Sequence, residues 1–166
     1  WTVERLENRF FTLASINTQL KTTRHSALHI ATHAQFQPGE AKASYLQLWD
    51  KKLLLTDLND VDWDASKADL IVLSACQTAI GDTNAANGFA GIALKAGVPS
   101  AIGTLWSIND SSSPTLMKNF YASLPDSSTK AQALQTAQRL ILDNTLQSKQ
   151  SAPYYWAGFS LISSPW

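Results

Sequence analysis

One histidine and one cysteine of this sequence each follow a short apolar segment, and their side chains are suited to nucleophilic chemistry. His33 comes directly after the segment 27–32, and Cys76 comes directly after 69–75. A cysteine reacts as its thiolate, and a nearby imidazole can take the thiol proton and later return it to a leaving group. The pair therefore predicts acyl-transfer chemistry, if the fold brings the two side chains together.

Both apolar segments are predicted to be buried strands. Residues 69–75 include four consecutive large apolar residues, which indicates burial on both faces of a parallel sheet. Ligands of open α/β sheets bind beyond the carboxyl ends of the strands. If the two strands are parallel neighbours, His33 and Cys76 lie at the same edge of the sheet.

The rest of the chain alternates between strand and helix patterns, which predicts an α/β layered fold with a mainly parallel central sheet. The other predicted strands are 1–6, 45–49 and 53–55 (joined as a hairpin), 100–106 and 156–162. The predicted helices are 11–19 with Thr12 as N-cap, 88–96 ended by Gly97, 112–124, and one capped by Thr129. Residues 35–44 and 77–87 are predicted loops, and 56–60 a short helix or turn.

Composition and charge exclude several classes of protein. The chain has 166 residues, 45% hydrophobic and 16% charged, which is typical of one folded domain rather than of a disordered chain. Lys plus Arg and Asp plus Glu both number 13, so no net positive charge attracts nucleic acid or a membrane surface. No apolar run approaches the ~18 residues of a membrane helix. Cys76 is the only cysteine, which excludes a disulfide-stapled secreted scaffold, and we expect a cytoplasmic protein.

Several short motifs, taken in order, resemble the CHAT family within the caspase, separase and gingipain group. They include His-Ile-Ala-Thr-His at 29–33, Leu-Ser-Ala-Cys-Gln-Thr at 73–78, Leu-Trp-Ser-Ile-Asn-Asp at 105–110 and Pro-Tyr-Tyr-Trp-Ala-Gly-Phe at 153–159. The matched residues extend over roughly 25–162. The resemblance implies a caspase-like three-layer sandwich with a cysteine peptidase dyad. The family's first strand and helix have no counterpart here, so we expect a single domain over 1–166 that is a C-terminal fragment of a longer chain.

The resemblance also implies roles for individual residues. Cys76 is the nucleophile, His33 is the general base, and the backbone N–H groups of Cys76 and Ala34 form the oxyanion hole. The family usually has glycine at the positions of Ala34 and Ala79, and these departures bear on the oxyanion geometry. His29 matches a frequent family histidine whose role is expected to be structural.

Three more residues are candidates for substrate binding. Many relatives in the wider group bind a basic side chain in an acidic pocket, and Asp82 or Asp110 is the candidate acid. Each has a plainer interpretation, Asp110 as a helix cap and Asp82 as a solvated loop residue. Trp106 is either a wall of a peptide subsite or a core aromatic residue.

Three functions are compatible with these residues. The first is an endopeptidase acting on a peptide or protein substrate, without metal or cofactor, and joined to a regulatory or repeat domain in its parent chain. The second is a weak or inactive interaction module, for which Ala34 and Ala79 argue. The third is a thiol amidase or acyl hydrolase acting on small molecules. The intact pair of Cys76 and His33 favours the endopeptidase.

Overall fold

A four-stranded sheet forms the centre of the protein. The computed structural model describes residues 2–37, 40–75, 88–95, 97–107, 111–145 and 152–163. The strands of the central sheet are β1 (Ala27–Ala31), β5 (Leu70–Ser74), β6 (Ser100–Thr104) and β7 (Phe159–Ser163), in the order β1-β5-β6-β7. The first three are parallel, and β7 is antiparallel to β6. The predicted mainly parallel sheet is confirmed.

Strand β5 is buried on both faces, as its run of apolar residues predicts. Leu70 and Val72 belong to the core on one side of the sheet, and Ile71 and Leu73 belong to the core on the other side. None of the four is more than 2% exposed. Alternate side chains of one strand therefore hold two helical layers against the sheet.

Helices cover both faces and give a three-layer sandwich. Helices α1 (Leu13–Thr22), α2 (Trp63–Ser66) and α3 (Phe89–Lys95) contribute to the core that contains Ile71. Helices α4 (Ser113–Ser123) and α5 (Lys130–Thr145) contribute to the core that contains Val72. None of the helices in the described part of the chain combines the length and the apolar character needed to cross a bilayer.

Helix boundaries follow from local chemistry. The Thr12 hydroxyl accepts a hydrogen bond of 3.2 Å from Ser15 N–H, so Thr12 is the N-cap of α1, as predicted. Gly97 follows α3 with φ of 92°, a conformation in which a side chain would be strained. Helix α4 begins at Ser113, with Ser112 in the N-cap position.

A second, smaller sheet lies beside the central one. It consists of β2 (Ala34–Gln35), β3 (Tyr45–Gln47) and β4 (Lys52–Leu54), paired antiparallel in the order β2-β3-β4. The predicted hairpin of β3 and β4 is confirmed, but the prediction that 35–44 is all loop is wrong at Gln35. Two residues are too few to show an alternation of apolar and polar side chains in the sequence. Residues 34–35 form a strand only because they pair with β3.

The prediction of a strand at 1–6 is wrong over its described residues. Residues 2–6 belong to no strand, and a 3-10 turn at Asn8–Phe10 leads the chain into α1. Loose alternation over so few residues does not make a strand unless a neighbouring strand pairs with it.

His29 has a packing role at the open edge of the sheet. It lies on β1, the edge strand, and its ring centroid is 5.7 Å from that of Tyr121 on α4. The residue is exposed overall, but the ring face against Tyr121 is desolvated, and this burial lowers the pKa of His29 below its ordinary value of 6.5. Tyr121 in turn packs edge-on against Phe120, with centroids 5.2 Å apart.

The lowered pKa of His29 predicts how stability depends on pH. Below pH ~6.5 the unfolded chain protonates His29 while the folded chain still resists protonation, so stability falls as the pH is lowered. The variant His29→Gln should lose less stability than the wild type between pH 7.5 and 5.5, measured by urea unfolding. The other two histidines remain in both proteins and cancel in the comparison. Equal losses in the two proteins would contradict this assignment.

The burial of Phe120 predicts how much its side chain contributes to the stability of the layer formed by α4 and α5. Its side chain is fully buried in the core that contains Val72. Phe120→Ala should lower the free energy of unfolding by about 3–5 kcal/mol, because it removes buried apolar surface and leaves a cavity. The matched control is Leu140→Ala on α5, whose side chain is 40% exposed and should cost much less. A loss for Phe120→Ala no larger than that of the control would contradict the described packing.

Candidate active site

The carboxyl ends of β1 and β5 lie side by side. The two strands are adjacent and parallel, and their register places Ala31 opposite Ser74. His33 follows Ala31 by two residues, and Cys76 follows Ser74 by two residues. His33 is exposed at this edge. Cys76 lies outside the described residues, and Ala75 is the last described residue before it.

The small sheet holds the backbone of His33 in place. The Gln47 N–H donates a hydrogen bond of 2.8 Å to the His33 carbonyl, which extends the β2–β3 pairing back to His33. The hydroxyl of Thr32 donates a bond of 2.6 Å to the Gln47 carbonyl. Strand β3 is anchored by Leu46, which is 1% exposed. The peptide that carries His33 is therefore fixed to the core through β3.

The hydrogen-bonding pattern between β2 and β3 determines the direction in which the N–H group of Ala34 points. Hydrogen-bonded and non-hydrogen-bonded pairs alternate along an antiparallel ladder. Because His33 and Gln47 are hydrogen-bonded, the next pair, Ala34 and Leu46, is a non-hydrogen-bonded pair. The Ala34 N–H therefore faces away from β3, toward the open edge of the small sheet. Ala34 is not among the described residues with positive φ, so its position does not require glycine.

The segment that leads to Cys76 is held by the end of the neighbouring strand. Ala75, the last described residue before Cys76, is 3% exposed. Its carbonyl accepts a hydrogen bond from the hydroxyl of Thr104, the last residue of β6. Thr104 is itself fully buried. A polar contact thus joins the carboxyl ends of β5 and β6 directly before the predicted nucleophile.

Trp106 lies beyond the same edge and is not a core residue. It follows β6 by two residues, is half-buried, and belongs to neither hydrophobic core that the described residues form. Its indole N–H donates a hydrogen bond of 3.3 Å to the Tyr154 carbonyl. The core interpretation of Trp106 is therefore wrong, and a place in a peptide subsite stays a prediction.

Three other predicted residues, Asp82, Asp110 and Ala79, lie outside the described residues. The predicted loop 77–87 also lies outside the described residues.

A cleft of about 440 Å³ occupies a different part of the surface. Its lining comes from the N-terminal arm and the hairpin turn and consists of Arg5, Glu7, Asn8, Arg9, Phe10 and Trp49. None of the predicted site residues lines it. Within the described part of the chain, no group of three or more His, Cys, Asp and Glu residues is arranged to hold a metal ion.

Sequence reasoning missed the residues that position the site. Thr32, Gln47 and Thr104 do so through backbone carbonyl groups, and none of them carries reactive chemistry of its own. The one local signal was Gln47, a polar residue between two leucines at a place where the strand alternates. Its partner, the His33 carbonyl, is visible only once the strands are paired.

Comparison with known protein families identifies the family of this chain. The family model of the CHAT domain matches residues 3–164. No curated protein matches the sequence. Since the match extends over nearly the whole chain, the protein belongs to the CHAT family, a caspase-like family.

Proposed function

We propose that this protein is a cysteine endopeptidase in which Cys76 is the nucleophile and His33 the general base. The observation that carries the proposal is the β1–β5 register, with Ala31 opposite Ser74. Each proposed catalytic residue is two positions beyond that pair in the sequence. Membership of a caspase-like family supports the same assignment.

The proposed reaction proceeds through a thioester. The Cys76 thiol gives its proton to the imidazole of His33, and the thiolate attacks the carbonyl carbon of the peptide bond. The C–N bond then breaks, and the leaving amine takes the proton from the His33 imidazolium. A water molecule gives a proton to His33 and attacks the carbonyl carbon of the thioester. The C–S bond breaks, the Cys76 sulfur takes the proton back from the His33 imidazolium, and the acid product leaves. The thiol and neutral imidazole are restored without any cofactor.

The Ala34 N–H is suited to stabilise the oxyanion that forms in both steps. It faces away from β3 beside His33 and has no backbone acceptor among the described residues, and a backbone donor at such a place binds developing negative charge. The N–H of Cys76 is the second proposed donor. Ala34 does not have positive φ, so alanine fits this position as well as the glycine that is usual in the family. The alanine is therefore only weak support for an inactive interaction module.

We further propose that the substrate is a peptide or protein segment, bound near Trp106. The indole stands at the end of β6, on the same edge of the sheet as His33, and is half-buried. Asp82 and Asp110 stay candidates for a basic-residue pocket. A regulatory or repeat domain in the parent chain and a cytoplasmic location belong to the same proposal.

The dyad can be tested by alkylation, because Cys76 is the only cysteine. Iodoacetamide at pH 7 should label Cys76 much faster than a free exposed thiol, since His33 stabilises the thiolate. His33→Ala should slow labelling at least tenfold, whereas His29→Gln, a change four residues earlier within β1, should not. Cys76→Ala should abolish cleavage of a proteome-derived peptide library, followed by mass spectrometry. Slow labelling that is indifferent to His33→Ala would refute the dyad.

The oxyanion donor can be tested with proline, which lacks an N–H group. Ala34→Pro should lower kcat by about 10²–10³-fold while leaving the ladder bonds of β2 intact, because the Ala34 N–H does not bond to β3. Gln35→Pro is the matched control, since Gln35 forms the next, hydrogen-bonded pair with Tyr45 and should lose thermal stability instead. Full activity in Ala34→Pro would exclude this N–H as an oxyanion donor.

A further inference from the structure

The small sheet has an inner face in the core and an outer face directed away from it. Alternation and register place Ala34, Leu46 and Leu53 on the inner face. The intervening residues form the outer face, defined here as Gln35, Tyr45, Gln47, Lys52 and Leu54. His33 lies at the margin of this sheet, opposite Gln47.

The outer face carries one ordered positive charge. The Lys52 ammonium stands 3.9 Å from the centroid of the Tyr45 ring, a cation–π contact between diagonal neighbours on β3 and β4. Lys52 is exposed and contacts no carboxylate in the described part of the chain, where the two ion pairs are Arg5–Glu7 and Lys21–Asp62. The charge is therefore held in place and remains available to a ligand.

Strand spacing fixes how far this charge is from His33. Gln47 is opposite His33 on one side and opposite Lys52 on the other. Two strand spacings of ~4.8 Å put the Cα atoms of His33 and Lys52 about 10 Å apart. An extended peptide advances ~3.3–3.6 Å per residue, so three residues span this distance and two cover about 7 Å of it.

The role of His33 in the proposed reaction determines which part of the substrate lies next to the outer face. His33 must protonate the amine that leaves, so the amine has to lie within hydrogen-bond distance of the imidazole. The residues that follow this amine therefore start beside His33, and the outer face is the part of the small sheet next to it. A cation at two to three residues' distance favours a carboxylate side chain.

We propose that the outer face binds the segment that follows the cleaved bond, and that Lys52, held by Tyr45, selects Asp or Glu at its second or third residue. This inference rests on the proposed peptidase function and adds a substrate class to it. Lys52 acts by contact with substrate and takes no part in proton transfer.

Cleavage of a proteome-derived peptide library tests the selection. Wild-type protein should prefer Asp or Glu at the second or third residue after the cleaved bond. Lys52→Glu should reduce that preference about fivefold, as expected for a surface charge pair, while residues before the bond keep their profile. Lys52→Arg should retain the preference. The matched control is Lys51→Glu, an exposed neighbour in the hairpin turn that does not contact Tyr45. A preference unchanged in Lys52→Glu, or lost equally in Lys51→Glu, overturns the inference.

A binding measurement separates this inference from the peptidase proposal. Cys76→Ala protein should bind a fluorescein-labelled peptide containing Asp-Glu more tightly than its Asn-Gln counterpart, and Lys52→Glu should weaken binding of the acidic peptide about fivefold. Binding that depends on Lys52, without any cleavage by the wild type, would overturn the peptidase and leave the outer face as a carboxylate-binding surface. Cleavage with neither binding nor profile sensitive to Lys52 would overturn the surface and leave the peptidase.

Discussion

The parallel pairing of β1 with β5 is the constraint on which the rest of the structure depends. Packing on both faces of β5 fixes its register, because a slip of one residue would exchange the side chains of Ile71 and Val72 between the two cores. The same register sets where both strands end. Burial in the middle of the sheet therefore determines the chemistry available at its edge.

The small sheet converts this edge into a defined surface. Its inner face is part of the hydrophobic core through Leu46 and Leu53, each no more than 2% exposed. Hydrogen bonds from Thr32 and Gln47 connect that anchored sheet to the chain around His33. The chain around His33 is thus held by its backbone and by the Thr32 hydroxyl rather than by the imidazole, and His33 stays exposed.

His29 and His33 are only four residues apart, but their surroundings differ because β1 ends between them. His29 lies within β1, where its ring packs on Tyr121 and its pKa is lowered by desolvation. His33 lies past the end of the strand, where the chain turns into the small sheet and the residue is exposed. Their position relative to the end of β1 separates a packing histidine from a candidate catalytic one.

The sequence by itself determined the apolar strands, the N-cap at Thr12, the glycine that ends α3 and the motifs of the family, because each is a local pattern or a local conformational requirement. It did not determine the two-residue strand β2, the absence of a strand at 2–6 or the place of Trp106 outside both cores. Only tertiary structure decided which strand pairs with β1, the direction of the Ala34 N–H and the cation–π contact between Lys52 and Tyr45. These three features depend on pairing between segments that are distant in the chain. The sequence of one segment alone does not specify the strand with which it pairs.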